Sequence, residues 1–269
     1  MVSATLKRFV RKSGSLLFGR TPRIHRIPFG PNKGRNIFVS FDISPRMYFG
    51  VDEPWIAQLA QRHISPGDVV YDIGAHIGYT ILFFASHVGD IGIVHAFEIL
   101  PSVAEGFLRK TIEANDFNNV VIHPVGLSNV EQTLKLPIGE TMMTSLSQVT
   151  GKRGRMQQCR TVRLDDYATR SHLPLPSLIK IDIEGAEVDC LLGGLQIIEK
   201  CHPKLILEFH SLDLLSKGYT ILDSLGYVIT TQECIVNKQF LRRIKWFHEN
   251  VFCYKGQSKQ SRTTFYPWN

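Results

Sequence analysis

Acidic side chains at the ends of apolar runs are the part of this sequence that could do chemistry. Asp72 interrupts the apolar run Val69–Ile73, and Glu98 closes the run at residues 92–97. Asp182 and Glu184 alternate with Ile181 and Ile183 at the end of a third run, and Glu208 and His210 end a fourth. A carboxylate at the end of a buried strand loses solvation, so each needs a hydrogen-bond donor, a cation or a ligand. Acids gathered at neighbouring strand ends can serve as a base, grip a cofactor or bind a cation. Gly74 and Gly78 lie between Asp72 and Glu98. Gly74 can take a turn conformation closed to other residues, and Gly78 lets the following helix lie close to a strand or a ligand.

The spacing around these glycines predicts a strand, a tight turn, a helix and a second strand over residues 69–98. From Tyr79 the chain is apolar almost all round a helical projection, through Ile81, Leu82, Phe83, Phe84, Ala85 and Val88, which suits a buried helix. Glu98 lies 24 residues beyond Gly74. In nucleotide-binding βαβ units an acid about 20 residues past the glycine turn accepts hydrogen bonds from ribose hydroxyls. The dinucleotide fingerprint G-x-G-x-x-G would need glycines at His76 and Tyr79, so a pyrophosphate cannot approach this backbone closely, and a nucleotide-dependent oxidoreductase is disfavoured. A ligand with an amino-acid head fits better. Asp72 and the turn carbonyls would hold its ammonium while free amides take its carboxylate. That ligand is S-adenosylmethionine. The competing readings are a βα turn without a ligand and a binding protein that keeps a non-catalytic cofactor fold.

In LIKIDIEGAEV, residues 178–188, strand periodicity would place Asp182 and Glu184 on one face at a carboxyl end, where ligands of open α/β sheets bind. Helix capping by either acid, with Glu187 favourable in the first turn of a helix over residues 186–199, is the structural alternative. His210 stands where a substrate would be. A histidine with its ordinary pKa near ~6.5 suits removal of an acceptor proton at neutral pH, although a surface histidine would look the same.

The elements that must position these residues follow from the apolar pattern. Helices are expected at 53–63 and 101–114, the first covering the cofactor mouth. Strands are expected at 37–43, 118–125, 204–209, 226–231 and 250–254, with an excursion of short strands over 134–162 and a basic, aromatic insert at 240–247. The 269 residues, 43% of them hydrophobic, allow one large α/β domain over 50–255, a basic extension over 1–49 and a tail over 256–269. The net charge of +7 is concentrated in residues 1–35, which hold nine basic side chains and no acid; the remainder carries 22 basic against 24 acidic. That distribution argues against a basic groove across the fold, so no nucleic-acid partner is expected. Leu6, Phe9, Val10, Leu16 and Leu17 fall on one helical face of the arm with basic flanks, a pattern suited to peripheral membrane contact, to a solvated segment or to a transit peptide. Five cysteines without zinc spacing suggest reduced thiols and a cytoplasmic protein.

The motifs VVYDIGAHIGYT, AFEILPS, VRLDDY, IKIDIEGAE and LILEFH, in that order over roughly residues 50–215, resemble the FkbM family of S-adenosylmethionine-dependent methyltransferases. The resemblance implies a Rossmann-like class I methyltransferase: a mostly parallel seven-stranded sheet with helices on both faces and an antiparallel last strand. It also implies methyl transfer, usually to a hydroxyl oxygen of a small molecule, sugar or lipid-linked glycan. Carried over by position, Asp72, Gly74, Ala75, His76, Gly78 and Glu98 match the cofactor motif. Asp182 and Glu184 match the acidic signature, and Asp182, Glu208 and His210 are the catalytic candidates. His76 stands where the family often has Asn. A sulfonium is already an activated methyl donor, so positioning and proton removal suffice and no metal is required.

Overall fold

The computed structural model describes residues 21–138 and 155–256. The amphipathic arm, Lys152 and Arg153 of the excursion, and the tail from residue 257 lie outside the described residues. Twelve strands are described: β1 Arg23–Arg26, β2 Asn36–Val39, β3 Val69–Ile73, β4 Ile93–Phe97, β5 Val120–His123, β6 Gly126–Leu127, β7 Gln132–Ile138, β8 Arg155–Val162, β9 Leu178–Ile181, β10 Lys204–Phe209, β11 Tyr227–Thr230 and β12 Glu249–Lys255. Seven of them form one sheet in the order β11-β12-β10-β9-β3-β4-β5. The five strands from β10 to β5 run parallel, and β12 is inserted antiparallel between β10 and β11. This is the Rossmann-like α/β sheet of class I methyltransferases. Strand order reverses between β3 and β9, so their carboxyl ends flank the crevice in which such sheets bind ligands.

The central strands are short apolar runs buried on both faces, as parallel strands under helices must be. Helix Tyr79–Val88 buries eight of its ten residues and packs against β3 and β4. The β1–β2 hairpin pairs antiparallel, and Ile27, Ile37, Val39, Phe41 and Tyr48 share one core cluster with Val70, Ile81 and Val94. Residues 23–49, read from sequence as extension, thus contribute to the core of the main sheet. The excursion forms a small sheet of order β6-β8-β7. Among the described residues no helix is long and apolar enough to cross a membrane.

Two helical expectations are corrected. The run at 101–114 contains a π-helical turn, Ala104–Leu108, between helices Pro101–Val103 and Arg109–Glu113. The run at 186–199 is two helices, Glu187–Gly193 and Leu195–Cys201. A Cβ on Gly193 would lie 2.1 Å from the Ser128 carbonyl oxygen, so the chain breaks where its backbone presses against another segment. Gly78 also differs in its partner. Its close approach is to Leu108 and Thr111 of the neighbouring helical run, not to the strand.

These contacts predict opposite outcomes for two alanine substitutions. Gly193→Ala should cost about 1 to 3 kcal/mol in denaturant unfolding, because a carbonyl cannot move aside. Gly106→Ala meets nothing within 4 Å and should be neutral or slightly stabilising. Equal stability of the two variants would contradict the packing described.

Candidate active site

The register of β3 against β9 sets Asp72 beside Lys180, with Ile73 beside Ile181 one step further on. Both polar residues are inside, Asp72 at 0% and Lys180 at 2% exposure. The Lys180 Nζ lies 3.4 Å from Asp72 Oδ1, 3.5 Å from Asp182 Oδ2 and 3.4 Å from the Gly74 carbonyl oxygen. The second oxygen of Asp72 accepts a hydrogen bond from the Thr80 hydroxyl. Asp72 therefore has a hydroxyl donor on one oxygen and, on the other, the charge of Lys180 without a hydrogen bond among the described residues. Burial alone would lower the Lys180 pKa, but Asp72, Asp182, Glu53 and Glu208 together reverse that and raise it, so the side chain stays charged.

In this arrangement the groups of the turn expected to hold a ligand have partners within the chain. The acceptors assigned to a ligand ammonium, Asp72 and the Gly74 carbonyl, already face the ammonium of Lys180. The amides are engaged as well: Gly74 and Ala75 N–H donate to the Phe97 carbonyl, and Gly78 N–H to that of Ala75. Gly74, at φ +83°, brings the turn against β9, since a Cβ there would sit 1.9 Å from the Asp182 carbonyl oxygen. His76 is left-handed at φ +50°, a region that Asn, Asp and His tolerate best among side-chain-bearing residues. Its N–H donates to Glu98 Oε2 at 3.0 Å, and Leu100 N–H donates to Glu98 Oε1 at 2.9 Å. Burial pushes the Glu98 carboxyl up to about 7, against the two amides that favour its charged form. Burial also lowers the His76 imidazole to about 4, leaving it neutral, and its Nε2 has no hydrogen-bond partner among the described residues.

A second cluster surrounds His210, just after β10. The fully buried Glu187 places Oε1 2.7 Å from His210 Nδ1, and the same oxygen accepts the Gly185 N–H at 2.8 Å. The opposite nitrogen, Nε2, lies 3.4 Å from Glu184 Oε2, 3.7 Å from Asp182 Oδ1 and 3.9 Å from Glu208 Oε1. His248, just before β12, places Nε2 3.1 Å from Glu208 Oε1 and its ring centroid 4.7 Å from that of His210. Burial alone would lower the His210 pKa, but Glu187, Glu184 and Asp182 outweigh it and raise the value to about 9. The imidazole is thus protonated at neutral pH, which differs from the ordinary value assumed from sequence. Strand β9 ends at Ile181, so alternation does not carry Asp182 and Glu184 onto one face. Left-handed Glu184 and Gly185 instead fold the chain so that both acids reach His210.

Glu53 joins the two clusters from the start of helix Pro54–His63. Burial pushes its carboxyl up to about 7, and its ligand oxygen, that of Asp182 and that of Glu208 lie within 4.8 Å of one another. That helix thus reaches the site through its first turn. The structure brings Asp182, Glu184, Glu208 and His210 together as expected and adds Lys180, Glu187, Glu53, Thr80 and His248. Lys180 had a signal in sequence, since a lysine inside the apolar run LIKI must be paired. Replacing it by methionine strands buried carboxylates, so Lys180→Met should lose about 3 to 5 kcal/mol in urea unfolding. Adding Asp72→Asn should recover part of that loss, and strict additivity would contradict the pair.

A methyltransferase FkbM domain model matches residues 72–250 of the chain. No curated protein sequence matches. Among solved structures, a methyltransferase FkbM from Methylobacillus flagellatus KT is 18% identical with a TM-score of 0.46, covering 75% of this chain. This chain spans about half, 51%, of that protein. Aeropyrum pernix fibrillarin, solved with natively bound S-adenosyl-L-methionine, is 11% identical (TM-score 0.47; 74% of this chain, 73% of that one). An S-adenosylmethionine-dependent O-methyltransferase from Thermotoga maritima is 11% identical (TM-score 0.46; 89% and 88%). With the domain model matching well over half of its length, the chain belongs to the FkbM methyltransferase family.

Proposed function

We propose that this chain transfers the methyl group of S-adenosylmethionine to a hydroxyl oxygen of a small-molecule, sugar or lipid-linked glycan acceptor. The observation that carries the reading is the excess of acid at the switch point. Asp72, Asp182, Glu184, Glu187, Glu208 and Glu53 gather around Lys180, His210 and the exposed His248, so that acids outnumber the basic groups paired with them among the described residues. A site of that sign favours a cationic ligand. The cofactor supplies, when bound, an activated methyl group on a positively charged sulfur. The donor set fits it: Glu98 keeps a lone pair on each oxygen for ribose hydroxyls, and His76 Nε2 is a buried polar atom without a partner. Asp72, Lys180 and Thr80 fix the turn from behind. Asp182 and Glu208, partly exposed at strand ends, face the acceptor side, and one of them takes the acceptor proton. The basic arm, residues 1–35, remains the candidate for contact with a membrane that carries the acceptor.

Calorimetric titration tests the cofactor directly: S-adenosylmethionine and S-adenosylhomocysteine should bind, and NAD should not. NAD binding without S-adenosylmethionine binding would replace this reading with an oxidoreductase. Labelled-methyl transfer to hydroxyl-bearing metabolite fractions then tests the acceptor class.

Glu98 gives the pH dependence. Its folded pKa of about 7 lies above the ordinary carboxyl value, so between these values the folded state holds the extra proton and this group's contribution to stability falls as pH rises. Ribose hydroxyls favour the ionised form, so cofactor affinity should change the other way. Between pH 6 and 8 it should rise by about tenfold in the native chain, the change in ionised fraction across that pKa. Glu98→Gln should abolish the slope, and a slope unchanged in that variant would remove Glu98 from the cofactor site.

A further inference from the structure

Beyond the cofactor motif, the His210 cluster has the arrangement of a metal centre. Two imidazoles and a carboxylate converge, His210 and His248 with Glu208, while Glu184 and Asp182 lie against His210 Nε2. Metal bonds to nitrogen and oxygen of about 2.0 to 2.2 Å place adjacent ligand atoms roughly 3.0 to 3.6 Å apart. The gaps here are 3.1 Å (His248 to Glu208), 3.4 Å (His210 to Glu184), 3.7 Å (His210 to Asp182) and 3.9 Å (His210 to Glu208). One donor atom each from Glu208, His210 and His248 lies within 4.8 Å of the others. Small adjustments of side chains that are partly exposed would close this set around an ion.

The second observation comes from behind the ring. Glu187 is 0% exposed, yet its carboxylate turns back on the His210 imidazole, with Oε1 2.7 Å from Nδ1 and Oε2 buried without a hydrogen-bond partner. A carboxylate on the far nitrogen orients the ring and aims Nε2, whose proton a metal would displace, as it does behind histidines that bind metals. Burying an incompletely satisfied carboxylate costs stability, and a cation on the other side of the ring offsets that cost through the polarised imidazole. The neighbouring set, Glu53 with Asp182 and Glu208, differs because Lys180 already places its ammonium there. Among the described residues no lysine is paired with His248 or Glu208, whereas Asp182 shares its charge with Lys180.

We propose that Glu208, His210 and His248, with Glu184 beside His210, bind a first-row divalent metal cation. Two imidazoles favour a borderline transition metal such as cobalt or zinc over calcium or magnesium, and manganese, which prefers oxygen ligands, should bind more weakly. Methyl transfer has no intrinsic need of a metal, so the ion's work would be on the acceptor: polarising its hydroxyl and lowering the cost of losing the proton. That role rests on the proposed hydroxyl methylation. The binding itself does not.

The full chain, stripped with chelator and dialysed, is titrated with cobalt(II), read by its visible absorption, and with manganese(II), read by electron paramagnetic resonance. One equivalent should bind. His248→Ala and Glu208→Gln should each weaken binding at least tenfold while leaving the circular dichroism spectrum unchanged. His248 is exposed and lies outside the core, so its variant keeps the test independent of folding. No saturable binding of either ion up to 1 mM, or binding that both variants leave unchanged, overturns the site. Titration of the same preparation with S-adenosylmethionine separates the two readings. Cofactor binding without metal binding defeats the metal site alone, and metal binding without cofactor binding defeats the methyltransferase reading alone.

Discussion

A lysine ammonium held among strand-end carboxylates is the interaction on which the rest of this structure depends. Lys180 sits in the middle of a parallel sheet, buried at 2% exposure. Removing its charge from water costs several kcal/mol unless opposite charges are fixed nearby. Asp72 and Asp182 supply them, from the neighbouring strand and from the end of the same strand. The pairing holds only if β3 and β9 are adjacent in this register, and only if Gly74 lets the turn approach the Asp182 carbonyl. The switch point of the sheet is thus pinned electrostatically as well as by hydrogen bonds.

Asp182 links the two halves of the site. One of its oxygens faces Lys180 and the other faces His210, so the dry cluster behind the turn and the more open cluster at the sheet's edge share one charge. Like charges this close raise one another's proton affinity unless cations separate them. Glu53 and Glu208 have raised pKa values from burial first; Asp182 adds to the rise at Glu208, whereas Lys180 opposes it at Glu53. Two internal cations leave the site short of positive charge. A ligand bringing a cation relieves that imbalance.

The sheet was legible because its strands are short apolar runs set off by Gly and Pro, and the antiparallel final strand followed from the family resemblance. The split at Gly193 was not legible, since the demand for glycine comes from the Ser128 carbonyl, distant in sequence. The acids were visible because a carboxylate interrupting an apolar run needs a partner. Their partners were harder. Glu187 looks like an ordinary first-turn acid, and only the left-handed backbone of Glu184 and Gly185 turns it back to His210. His248 follows a surface loop, and its place beside Glu208 depends on the insertion of β12 next to β10. Part of the motif proved architectural. Asp165 of VRLDDY accepts the N–H groups of Gln196 and Ile197 at the start of another helix.

The glycine turn itself shows why a histidine is acceptable at position 76. In a dinucleotide-binding loop the middle position must be small because backbone amides meet a pyrophosphate. Here the amides of Gly74 and Ala75 are spent on the Phe97 carbonyl and that of His76 on Glu98, so no ligand needs to reach that backbone. A side chain at this point obstructs nothing that the turn has to do. Its constraint is conformational, a left-handed φ that histidine tolerates. In the proposed reading, recognition falls to side chains: the carboxylate of Glu98, the neutral imidazole of His76 and the acidic ends of β9 and β10. A turn closed on itself can be stiff without a ligand, and the specificity of the site is written in residues that sequence variation can change one at a time.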